Sequence, residues 1–73
     1  MADEIVTELA KLELPFRRMA TIREVRHESG MRMLRLVLRE GHRITQVDLD
    51  ADAARALGQC LLDNAEAALD QDE

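Results

Sequence analysis

The residues of this chain that could do chemistry are few and scattered. His27, His42, Cys60, Ser29 and the alternating acids Asp48, Asp50 and Asp52 are the candidates to weigh. Two imidazoles hold a metal only if their nitrogens converge. Here they lie beside turns at the two ends of one strand-like segment, residues 31–38. Eight residues at about 3.3 Å each put them roughly 25 Å apart. They read as turn residues. A reactive cysteine needs a nearby base and an electropositive setting. Cys60 is followed by Asp63 and Glu66 and borders an apolar stripe, so it reads as a small half-buried hydrophobe. Being single, it excludes an intrachain disulfide and zinc sites built on cysteine pairs. Ser29 lacks the Gly-x-Ser-x-Gly context of a nucleophile elbow. The aspartates lack the glycine and closing glutamate of an EF-hand loop. The three glycines lie far apart, so none forms a phosphate-cradling loop. The expectation is a chain that is not an enzyme, with no catalytic residues, no metal and no cofactor.

The elements that would position side chains are clearer. Glu28-Ser29-Gly30 and Glu40-Gly41-His42 are turn signals, each placing a glycine where a positive φ is wanted. Between them Leu34, Leu36 and Leu38 alternate with Met33, Arg35, Val37 and Arg39, the period of a strand. With Gly41-His42 as a two-residue loop, Glu40 faces Arg43, Leu36 faces Val47 and Arg35 faces Asp48. That register pairs charge with charge and apolar with apolar. With Ser29-Gly30 as the preceding loop, Val25 faces Leu34, Glu24 faces Arg35 and Ile22 faces Val37. One sheet face then holds Val25, Leu34, Leu36, Leu38, Val47 and Leu49, with Arg23 an awkward member. The other holds Ile22, Met33, Val37 and Ile44 around a charged row, Glu24–Arg35–Asp48.

Asp50 is placed to cap a helix, with Asp52 in its first turn. Over residues 51–69, Leu57, Leu61, Leu62, Leu69, Gly58 and the alanines Ala54, Ala65 and Ala68 fall in an arc of about 140°. Gly58 sits mid-stripe, where a missing side chain permits close approach to the sheet or another helix. Residues 11–16 read as an extended edge strand, since Pro15 is tolerable only at an edge. The fold class is therefore α+β: a three- to four-stranded antiparallel β-meander over 11–49, then one amphipathic C-terminal helix over 51–69. Residues 1–10 form an N-terminal arm, 70–73 a fraying tail, and 1–73 a single domain.

Seventy-three residues, 47% of them hydrophobic, make a small globular domain in need of a stabilising helper. With disulfides and cysteine-based metal sites excluded, that helper is oligomerisation. No apolar run approaches the roughly 20 residues that span a bilayer. The start, Met-Ala-Asp-Glu, has no secretory pattern, and a lone cysteine suits a reducing cytoplasm. Nine arginines to one lysine, with an alanine-rich helix, suggest a bacterial source. Net charge is −5, divided into −3 over residues 1–13, +5 over 14–43 and −7 over 44–73. Such segregation suits either an anion-binding centre or pairing between segments.

The strand–strand–strand–helix order, with Thr21-Ile22-Arg23-Glu24-Val25, Arg35-Leu36-Val37-Leu38-Arg39-Glu40 and residues 44–57, resembles the positive cofactor four family. That resemblance covers about residues 14–68 and implies a dimer gripping single-stranded nucleic acid on a curved sheet. The tryptophan, lysines and sheet aromatics of that family are missing here, and with them the stacking platform. A net charge of −5 also opposes phosphate attraction. The leading expectation is a non-catalytic protein–protein interaction module, a homodimer or an accessory subunit of a larger bacterial assembly. Its interface would be Ile22, Met33, Val37 and Ile44, the face one helix cannot cover. The alternative is a single-stranded nucleic-acid binder using Arg26, Arg32, Arg39 and Arg43.

Overall fold

The computed structural model describes residues 4–70. Four strands, β1 (Ile5–Leu14), β2 (Arg18–Arg26), β3 (Arg32–Glu40) and β4 (Arg43–Leu49), precede one helix, α1 (Ala51–Asp70). The strands form one antiparallel sheet in sequence order, an α+β meander. Residues 1–3 and 71–73, the ends of the expected arm and tail, lie outside the described residues.

The β3–β4 hairpin has the register that its chemistry demands. Glu40 faces Arg43, Leu36 faces Val47, Leu34 faces Leu49 and Arg35 faces Asp48. Gly41 opens the two-residue loop at φ 61°, as a II′ turn requires of its first residue. The β2–β3 hairpin differs from expectation by one residue. Its loop is Glu28-Ser29-Gly30, closed by the Gly30 amide donating to the His27 carbonyl at 2.8 Å, with Gly30 at φ 94°. Three loop residues rather than two shift every pair, so Val25 faces Met33 and Ile22 faces Leu36. Because side chains alternate, that shift moves all of β2 to the opposite face. Ile22 and Ala20 join the leucines, while Arg23 and Val25 leave them.

β1 is longer than the expected edge strand and ends before its proline. Pro15-Phe16-Arg17 is the turn, with Phe16 at φ 64° and Arg17 at φ 61°. A bulge between Glu8 and Ala10 inserts Leu9 and changes which residues point to which face. Ile5 and Thr7 share a face with Ala10, Leu12 and Leu14.

α1 begins where its cap dictates. The Ala53 amide donates to the Asp50 carboxylate at 2.7 Å, and the Ala54 amide to the Asp50 carbonyl at 2.9 Å. The helix touches β3 and β4, yet none of its residues is buried. Leu61, Leu62 and Leu69 are 64%, 60% and 73% exposed. A Cβ placed on Gly58 meets nothing within 4 Å, so the expected close approach of sheet to helix does not occur within the chain. Cys60, expected half-buried, is exposed. Among the described residues only Ala20, Thr21 and Val25 are buried, all on β2. The extents are 55 × 29 × 16 Å and the radius of gyration is 14.8 Å, against about 11 Å for a compact domain of this length.

Candidate functional site

The register sorts the sheet into two faces. On the first, Leu12–Ala20–Leu38–Thr45 and Ala10–Ile22–Leu36–Val47 are rows running across the four strands. This is the face that α1 approaches. Ile22, Leu34, Leu36 and Leu49 line an open cleft of about 210 Å³ with Ala54, Leu57, Gly58 and Leu61. Beyond that cleft Leu12, Leu38 and Val47 remain 52%, 40% and 45% exposed. At this end of the sheet a concavity of about 290 Å³ is lined by Leu14, Arg18, Leu38, Glu40 and Thr45, among others. Arg18 and Glu40, cross-strand partners, pair there at 2.6 Å.

The second face carries the charged row, in a different composition from the one expected. Glu8, Arg23, Arg35 and Asp48 are in register across all four strands. Arg35 grips Asp48 with two hydrogen bonds, Nε to Oδ1 at 2.7 Å and Nη2 to Oδ2 at 3.1 Å. The bidentate bond holds the Asp48 carboxyl below its ordinary value and raises the Arg35 guanidinium. Glu24, expected in this row, lies on the leucine face and sits 3.6 Å from Arg32. The shifted β2 loop is the reason.

The four residues expected as an interface are not brought together. Met33, Val37 and Ile44 share the charged face, and Ile22 is on the other, opposite Leu36. Met33 and Val37 are half-buried, and Ile44 is 51% exposed. The unburied apolar surface gathers instead on the leucine face and along α1. That signal was present in the helix stripe, but the stripe alone does not say whether its own sheet covers it.

The arginines considered for nucleic acid are also divided. Arg26 faces Arg32 at the Gly30 end of the sheet, whereas Arg39 and Arg43 lie at the Gly41 end on opposite faces. Missed by sequence reasoning is the β1–β2 tip, where Phe16 is 84% exposed and the Arg18 guanidinium stands 5.6 Å from its ring centroid. Arg17, Arg18 and Arg39 line a shallow concavity beside it. Among the described residues no helix is long and apolar enough to cross a membrane.

His27 stays at its turn, with Nδ1 3.6 Å from a Glu4 carboxylate oxygen, and His42 is in the β3–β4 loop at the other end of β3. Cys60 has Asn64 as its neighbour, whose amide donates to the Cys60 carbonyl at 2.8 Å. No curated protein and no solved structure matches this chain. One family model does, over residues 3–67, and the chain therefore belongs to DUF6967, a family of unknown function.

Proposed function

We propose that the chain is a non-catalytic protein–protein interaction module that works in the cytoplasm as a homodimer. One observation carries this reading: the chain exposes 6311 Å², where a compact monomer of 8.3 kDa exposes about 4,600 Å². The excess, about 1,700 Å² per chain, is the area that each subunit of an obligate homodimer commonly buries. Much of the exposed apolar surface is leucine and valine on one face of the sheet and along α1. A sheet of four strands with a helix beside it gains independent stability only by covering its apolar face. A two-fold dimer is the commonest closed way to do so. His27 and His42 stand at opposite ends of β3 and Cys60 lies in α1, which supports the non-catalytic part, and a free, exposed thiol suits a reducing compartment.

The nucleic-acid alternative has less support. Its arginines are split between faces and ends, and Arg32 stands 3.6 Å from the Glu24 carboxylate. A basic track along a single strand needs continuity. Light scattering after size exclusion tests the reading: about twice the 8.3 kDa chain mass is expected. A folded monomer at micromolar concentration overturns it. A stable complex with a different protein in place of self-association would reassign the same surface to an accessory subunit.

A further inference from the structure

We propose that the second half of α1 docks on the leucine face of a second copy, over the patch formed by Leu12, Leu38 and Val47, reciprocally about a two-fold axis. The proposal rests on the homodimer reading and names its contact. Two independent observations lead to it. The first is where apolar area is left open. α1 leaves Leu61, Leu62 and Leu69 largely in solvent, and its own sheet leaves Leu12, Leu38 and Val47 about half exposed. Leu61 borders the cleft to its own sheet, yet both sets stay largely uncovered within the described chain, as two halves of one contact would. The shortfall of about 1,700 Å² per chain corresponds to about 3,400 Å² in a dimer, inside the range of obligate homodimers.

The second observation is charge. The second half of α1 carries Asp63, Glu66 and Asp70 and no basic residue. On the leucine face, the sheet end bearing Leu38 carries Arg18 and Arg43, with Arg17 in the adjoining turn, against Glu40. Glu66 borders the leucine stripe, so an acidic helix meets a basic sheet rim when the apolar patches are opposed, whereas helix against helix would bring two acidic helices together. The concavity beside Leu38 and Thr45 gives the helix a seat. Isologous contact makes each docking occur twice, so one helix per chain suffices to complete both faces.

The test is an isotope-filtered NOE experiment on a mixture of ¹³C-labelled and unlabelled chains. Intermolecular contacts between methyls of Leu61 or Leu69 and those of Leu38 or Val47 are expected. A dimer whose intermolecular contacts instead join Val37 and Ile44 of the charged face, or join α1 only to α1, overturns this docking and leaves the homodimer reading standing. A sample that is monomeric by light scattering, with no intermolecular contacts, overturns both.

Discussion

The two faces of one sheet have been finished in different ways. On the charged face, ions or hydroxyls interrupt every row except Val6–Val25–Met33, and Arg35 and Asp48 satisfy each other within the chain. Val25 of that face is fully buried without any helix above it. On the leucine face, two rows are almost wholly apolar, a 20-residue helix with an apolar stripe follows directly, and yet that helix buries none of its own residues. Local rules of pairing and capping are obeyed equally on both faces. What differs is whether the partners needed are inside the chain. Ion pairs are met across adjacent strands, whereas an apolar face needs a second layer, and a single helix that leaves the sheet supplies only part of one.

That contrast is most severely tested by placing a charge on the leucine side. Leu61→Arg should dissociate the dimer, because each chain loses an apolar anchor worth about 1.5–3 kcal/mol and gains a buried charge. The loss appears twice per dimer, so sedimentation should show a monomer at concentrations where the parent chain is paired. Leu38→Asn acts at the sheet half of the same contact and is milder, about 1.5–3 kcal/mol per chain, read as a raised dissociation constant. If either substitution leaves association untouched, the leucine face is not the unfinished one.

On the charged face the relevant variable is pH. Asp48 has its folded value held down by Arg35, so its contribution is present in full above the unfolded carboxylate value of 3.8 and is lost as pH falls below it. Asp48→Asn should flatten that part of the acid dependence of the urea midpoint, with little change in subunit mass. The smallest effect is expected for Ile44→Thr, about half exposed and β-branched in both forms, which should shift stability by about 0.5 kcal/mol or less and leave the dimer intact.

Much of this architecture was legible from residues alone, for identifiable reasons. Gly41-His42 could be read as a two-residue turn because only one register matched Arg35 with Asp48 and leucine with valine. Asp50 announced the helix by its position before an apolar period. The β2–β3 register was not legible, since Glu28-Ser29-Gly30 accommodates a two- or a three-residue loop and both give plausible pairs. Choosing the shorter loop placed Ile22 beside Met33, Val37 and Ile44, and so grouped four residues that the sheet divides between its two faces. The Leu9 bulge and the positive φ of Phe16 and Arg17 were equally hidden, because neither residue type advertises such a backbone. The arginine left awkward among the leucines, Arg23, was the one sequence signal that the pairing was off by one.

The central claim is that the fold is completed by a second copy, so folding and association should be a single equilibrium. Urea unfolding monitored by circular dichroism across a hundredfold range of chain concentration tests it most directly. The account predicts a midpoint that climbs with concentration, each tenfold step adding about 1.4 kcal/mol of apparent stability. A cooperative transition with the same midpoint at every concentration would contradict it.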